Sequence, residues 1–492
     1  MMDISRLLIC RCRAAAIAFV TLCSAWAVPP EARAEGPISV ADTLTRARTP
    51  AGEYIAWKEH LVDDQQLSGG VVLRGADGLQ MADLDKDGYL DIVSVHEDNH
   101  HLRLAFGSAN PDQWHLVTLA EGDEAKAAED VSIADANGDG WLDIVAACEL
   151  AHLIYFQNPG KNVRGGQWPR VIPKITADRG SWIRVFFADY DGDGRPEVSA
   201  ANKGHQLAGG GGPAPKTYAP KAISMFRLPK DPLHGDLWRE HVLTQVRIPM
   251  NARPVDLDGD GDLDILGGSR YDGRTLWLEN RGGTPLKFIE HLIEVTGRSV
   301  PQSGGGRHLS GISVAFHDFN ADGRLDILLQ ETPPRIVWLE QPDDFAKPWT
   351  IHKIGSVAPD SSAGLAVADI NDDGRPDIIT GGYSQQPRDH DGDKITAAST
   401  VGRLCWFAHP GDPARPWICN DIARRKRGMY DLFIPRDMDG DGDTDFVTTR
   451  GNSGNFDGVL WLEQVRTKIA VKTFQPARLK ESAHLPLPPG ER

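Results

Sequence analysis

Most of the chain is built from short apolar or alternating runs, rich in Val, Ile, Thr, Phe and Trp, separated by clusters of Gly, Asn, Asp and Pro. Such runs read as β-strands, because β-branched and aromatic side chains fit a pleated surface and the breakers recur too often for helices. The runs come in a repeated order. One strand enters an acidic loop, as at Val367-Ala368, and a second leaves it, as at Asp91-Ile92-Val93-Ser94-Val95, Asp264-Ile265-Leu266 and Asp377-Ile378-Ile379-Thr380. A third carries an aromatic centre, as in Leu276-Trp277-Leu278-Glu279, Val337-Trp338-Leu339-Glu340 and Leu460-Trp461-Leu462-Glu463, and more loosely Ile154-Tyr155-Phe156. A fourth follows a Pro/Gly turn and often opens on Trp, as at Trp114, Trp238 and Trp349. The tryptophans are expected to pack between units as core.

The acidic loop is the clearest signal, and it occurs seven times as Asp-x-Asp/Asn-x-Asp-Gly-x-x-Asp/Glu. Its oxygen-bearing positions are Asp83, Asp85, Asp87 and Asp91 in the first copy, then Asp135, Asn137, Asp139 and Asp143. The third and fourth copies hold Asp189, Asp191, Asp193 and Glu197, and Asp256, Asp258, Asp260 and Asp264. The fifth and sixth hold Asp318, Asn320, Asp322 and Asp326, and Asp369, Asn371, Asp373 and Asp377. The last holds Asp437, Asp439, Asp441 and Asp445. These donors are all oxygen, with no His or Cys among them, which disfavours zinc and suits Ca²⁺. Mg²⁺ keeps more of its water and fits a dense carboxylate cage less well. Glycine at the sixth position allows the chain to turn sharply around an ion. The loop is not an EF-hand, because the twelfth position is Ser94, Ala146, Ala200, Gly267, Leu329, Thr380 or Thr448, and none supplies a carboxylate. Up to seven Ca²⁺ ions, mainly structural, are therefore expected.

On these loops the chain resembles the FG-GAP/VCBS repeat family, the propeller type of integrin α-subunits and many secreted bacterial proteins. The resemblance spans roughly Trp57 to Val471. Four strands per unit and seven units predict an all-β, seven-bladed β-propeller over residues 53–475, with the calcium loop between the first two strands of each blade. Trp57-Lys58-Glu59-His60-Leu61-Val62 has the fourth-strand pattern but precedes the first loop. It is expected to complete the last blade, so that pairing of the chain ends closes the ring and removes open edges. Residues 35–52 and 476–492 are expected to be disordered ends.

Before Glu35 the pattern changes. Arg6, Arg11 and Arg13 precede a short apolar stretch, Ala14 to Ala27, and Ala32-Arg33-Ala34 has the small residues that signal peptidase requires. Residues 1–34 are read as a signal peptide of the Sec type, which places the mature chain outside the cell or in a periplasm. The apolar stretch is too short to span a bilayer comfortably. Cleavage leaves three cysteines, Cys148, Cys405 and Cys419. Cys405 and Cys419 flank a turn near Asp412, where a disulfide is left open, and Cys148 is read as a buried filler.

The net charge is −16, and removal of four arginines with Asp3 and Glu31 takes the mature chain to −18. Nucleic acid is disfavoured as a partner, because phosphates need a basic surface. The loops hold 25 acidic side chains at the named positions, so seven Ca²⁺ would bring the mature chain to −4.

Insertions concentrate on the face opposite the loops: 203–221, 298–310 and 384–401. Asp389 to Asp393 lacks the full loop pattern and reads as a solvated turn. The end of each second strand also lies on this face. Counting five residues past the ninth ligand gives His96, Cys148, Asn202, Ser269, Glu331, Gly382 and Arg450. One further gives Glu97, Glu149, Lys203, Arg270, Thr332, Tyr383 and Gly451. These positions do not repeat, which favours one asymmetric site over a site in every blade. Glu97, Glu149, Lys203, Arg270, Glu331 and Arg450 are the expected ligand-binding residues. A carbohydrate or an extracellular protein is the expected partner, with arginine forking to any carboxylate. The alternative is a sugar lyase or dehydratase. Its candidate base is His96 or His308, its acid Tyr383 or Tyr430, and its charge neutraliser Arg184, Arg270 or Arg450. A nucleophile elbow, a zinc-protease helix and a phosphate-binding loop are all absent from the sequence. Cell adhesion or assembly is the third possibility.

Overall fold

A computed structural model describes residues 37–204, 218–299, 309–384 and 395–489. The expected signal peptide, His308, the turn 389–393 and most of the three insertions lie outside the described residues. The described strands form seven sheets, antiparallel except for two short parallel edge strands, Val295–Thr296 and Phe474–Gln475, giving an all-β, seven-bladed propeller. Blade 1 is Ala76–Ala82, Asp91–His96, His101–Phe106 and His115–Glu121, and the other six repeat this order. The strand that leaves each acidic loop is buried along its whole length, as in Asp91–His96 and Asp377–Gly382. It lies between two neighbours in its own sheet and is covered on both faces by adjacent blades, which is why these runs are continuously apolar rather than alternating.

The third-strand and fourth-strand motifs meet by register. Trp461, Trp277 and Trp338 lie directly opposite His60, His291 and His352. Their rings stack at 3.9, 4.6 and 4.2 Å. The glutamate two residues after each tryptophan completes the unit. Glu463 takes His60 Nε2 at 2.6 Å, Glu279 takes His291 at 2.7 Å and Glu340 takes His352 at 2.6 Å. In blade 7 the histidine comes from Tyr54–Asp64, which pairs antiparallel with Gly458–Thr467.

The blades are joined in sequence by hydrogen bonds from one inner region to the next. Asp130 accepts from Val185 N at 3.1 Å, Ser199 Oγ donates to Ala252 O at 2.7 Å, and Asn251 Nδ2 donates to Gly311 O at 2.8 Å. Gln330 Nε2 donates to Ala363 O at 2.8 Å, and Gly364 N to Tyr430 O at 2.8 Å. Between blades 7 and 1, Thr449 Oγ1 donates to Asp77 O at 3.1 Å.

The register sets Cys419 opposite Phe407 and Cys405 opposite Asp421, so the two cysteines are diagonal and not facing, and all three cysteines are free. Cys148 is fully buried in the apolar cluster between blades 1 and 2. The terminal segments, expected to be disordered, make specific contacts where they are described. Val40 N donates to Leu485 O, and Glu481 is buried with its Oε2 2.6 Å from Arg450 Nη1. They carry no strand period, and they are held by isolated backbone bridges together with burial and charge. Among the described residues, no helix is long and apolar enough to cross a membrane.

Candidate functional site

The acidic loops connect the first and second strands of every blade, at one end of the strands. In blade 1, Asp83 accepts from Asp87 N at 3.2 Å and Gly88 N at 3.0 Å. Asp85 accepts from Asp87 N at 3.2 Å and Asp87 from Tyr89 N at 2.9 Å. Each of these side chains folds back on the loop's own backbone, which draws the carboxylates together. One carboxylate oxygen each of Asp83, Asp85 and Asp91 lie within 4.8 Å of one another, as do those of Asp189, Asp191 and Glu197, and of Asp256, Asp258 and Asp260. The donor sets are oxygen-only and so fit a hard cation better than a soft one. Arg164 faces the first loop, its Nη2 2.8 Å from Asp87. Arg227 sits 2.8 Å from Asp191.

The ninth residue of each loop is deeper. Asp91 accepts from Leu84 N at 2.8 Å and Gly107 N at 2.9 Å, which ties the loop to the end of the third strand. Burial outweighs these hydrogen bonds and pushes the ninth carboxyl up to about 7 at Asp91, Glu197, Asp326 and Asp377. Asp445 is pushed up to about 8 by the same cause. The residue three positions past the aromatic centre of the third strand also reaches the preceding blade. Asn158 Nδ2 donates to Leu84 O at 3.0 Å, Asn280 Nδ2 to Tyr190 O at 2.8 Å, Gln341 Nε2 to Leu257 O at 2.7 Å, and Gln464 Nε2 to Ile370 O at 3.0 Å. Loop conformation is therefore coupled to blade-to-blade packing.

At the opposite end of the strands the blades surround a cavity of about 240 Å³. It is lined by the residue six positions before the first aspartate of every loop: Asp77, Glu129, Ile183, Met250, Ile312, Ala363 and Asp431. Blades 7, 1 and 2 thus supply an acidic arc, and blades 3 to 6 an apolar one. The ends of the second strands add Glu97, Glu149, Lys203, Arg270 and Tyr383. Lys203 Nζ is paired with Glu149. Arg184 lies beneath, 3.6 Å from Glu129 and 3.4 Å from Asp431, and lines the adjoining channel of about 440 Å³. Burial, reinforced by Glu97, pushes Glu129 up to about 8. Asp77 is raised by burial, then by Glu129 and Glu97.

The cavity brings together Glu97, Glu149, Lys203, Arg270 and Tyr383, all singled out from sequence. Others lie elsewhere. Glu331 takes Ser299 N at 2.5 Å. Arg450 is buried between Glu59 and Glu481, and Tyr430 is fully buried in the apolar cluster of blades 6 and 7. His96 is fully buried, 3.3 Å from Ser94 Oγ, and desolvation pushes it down to about 3. Asp77, Glu129 and Asp431 were missed, although counting backward from each loop gives all three.

Three segments match the FG-GAP-like repeat: residues 83–146, 256–329 and 318–380. With its seven blades, the chain is an FG-GAP repeat propeller. No curated protein matches it. Among solved structures it is similar to YCF48 from Cyanidioschyzon merolae, with 8% identity and a TM-score of 0.45, covering 83% of this chain and 98% of that one. It is also similar to BBS1N in complex with ARL6DN, with 9% identity and a TM-score of 0.44, covering 81% of this chain and 94% of that one.

Proposed function

We propose that this protein is a secreted, calcium-binding propeller that binds a carbohydrate or a protein ligand in the mouth opposite the acidic loops. The observation that carries this reading is the asymmetric lining of that mouth. Three inner positions are acidic and four apolar, with Lys203 and Arg270 at the rim. A sugar presents both hydroxyls and a C–H face, and matches such a divided wall. The volume falls below the roughly 300–1,000 Å³ of drug-sized pockets, which favours a small ligand or the end of a chain. The converging oxygens of the blade loops support calcium as a stabilising ion there, and Tyr54–Asp64 is proposed to close the ring.

A second reading has its own observation: Tyr383, Arg270 and two carboxyls held above their ordinary range share one cavity. Groups displaced toward neutrality beside a fixed positive charge are the equipment of proton abstraction next to a carboxylate, so a lyase or dehydratase is kept as the alternative. A thermal-shift panel of neutral and acidic oligosaccharides, with the mature chain in calcium, tests the binding reading. A stabilising sugar supports it and would then be assayed for an unsaturated product. A blank across the panel counts against sugars and leaves a protein partner or adhesion.

A further inference from the structure

We infer that Asp77, Glu97 and Glu129 hold a divalent cation in the mouth of the propeller, separate from the blade loops. The inference rests on the reading of that mouth as the ligand site, and deepens it.

One carboxylate oxygen from each of the three lies within 4.8 Å of the others, so a single ion can reach all of them. They come from two adjacent blades, with Asp77 and Glu129 on inner strands and Glu97 just past a second strand. Asp77 is only 5% exposed, lines the cavity, and its Oδ2 has no hydrogen-bond partner among the described residues. A buried carboxylate oxygen left without a donor is costly, and in a wall that already holds Glu129 beside it the cost rises.

The charge balance points the same way. The lining holds five carboxylates, while Lys203 and Arg270, with Arg184 beneath, supply three cations. The difference is a formal −2, which one divalent ion cancels. The nearest cations are already engaged: Lys203 is paired with Glu149, and Arg184 reaches Glu129 only at 3.6 Å. Oxygen-only donors select a hard ion such as Ca²⁺ or Mn²⁺ over zinc or copper.

Three protein oxygens leave such an ion unsaturated, since Ca²⁺ takes about six to eight oxygen ligands. The open positions face the cavity, where water or paired hydroxyls of a sugar can complete the shell. The ligand class this favours is a polyol or sugar bound through the ion, with its C–H face toward Ile183 and Met250.

Crystals of the mature protein soaked in MnCl₂ alone test the inference by anomalous diffraction. The expected result is a peak among Asp77, Glu97 and Glu129, lost in Asp77→Asn, while peaks at the blade loops persist in both and report intact folding. A mouth without a peak while the blade loops are filled overturns the inference, as does a peak that survives Asp77→Asn. Because no sugar is present, a failure here leaves the sugar-binding reading standing, to be judged by the oligosaccharide panel.

Discussion

Arg450 Nη1 lies 3.3 Å from Glu59 Oε1, joining the second strand of blade 7 to a strand nearly four hundred residues earlier in the chain. Arg425 Nη2 takes the other oxygen of Glu59 at 2.7 Å, and all three side chains are buried. Burial opposes the charge on Glu59, but Arg425 and Arg450 hold its carboxyl down at about 2. Glu59→Ala leaves two buried guanidinium groups sharing the single carboxylate of Glu481 and is expected to cost about 3–5 kcal/mol. Chemical denaturation measures this. A loss close to zero would show that the N-terminal strand is not needed to hold blade 7.

The side chains three positions past the aromatic centres of the third strands predict a second, smaller effect. Gln341→Ala removes donors to Leu257 O and Leu325 O, and is expected to cost about 1–3 kcal/mol through unsatisfied buried carbonyls. Because Leu257 sits in the loop of blade 4, the same variant is expected to weaken calcium binding there. Calorimetric titration checks this, and unchanged binding would separate the loops from blade packing.

Chelation is the third prediction. An ion that binds only the folded state stabilises it, by about 2.7 kcal/mol per site at a free concentration a hundredfold above its Kd. Removal of calcium is expected to lower the melting temperature markedly, with recovery on addition of excess Ca²⁺. Identical melting curves with and without chelator would contradict calcium binding by the loops.

His96 predicts a pH dependence. Burial first, then Arg103 and His101, pushes it from 6.5 to about 3. The unfolded chain therefore binds a proton in that interval that the folded chain does not. Stability from His96 is present above pH 6.5 and is lost as pH falls toward the folded value. The difference in stability between wild type and His96→Gln is expected to shrink from pH 7 to pH 5. Denaturant melts across that range test it, and a constant difference would contradict a neutral buried imidazole.

The fold was legible because seven copies of one loop mark the turn between the same two strands, and the Trp-Leu-Glu and Trp-x-x-His patterns mark the other two. Trp57 to Val62 was legible as a fourth strand because it shares the Trp-x-x-His spacing of Trp238 to His241 and Trp349 to His352. Half of the mouth was legible as well. Glu97, Glu149, Lys203 and Arg270 follow the ninth loop residue at a fixed distance. The acidic arc was overlooked because Asp77, Glu129 and Asp431 occupy positions that are apolar in four of the blades, where they read as strand interior. Glu331 and Arg450 were drawn in by their register alone. Their partners, Ser299 and Glu481, come from segments with no strand pattern, so nothing local announces those contacts.

The most direct test of the ligand-binding account is an oligosaccharide array probed with the mature wild type and Arg270→Ala, both in calcium. The account predicts that the wild type retains at least one sugar and that the variant binds it about tenfold or more weakly, as loss of a charge-assisted hydrogen bond implies. Equal binding by both proteins, or none by the wild type, would contradict it.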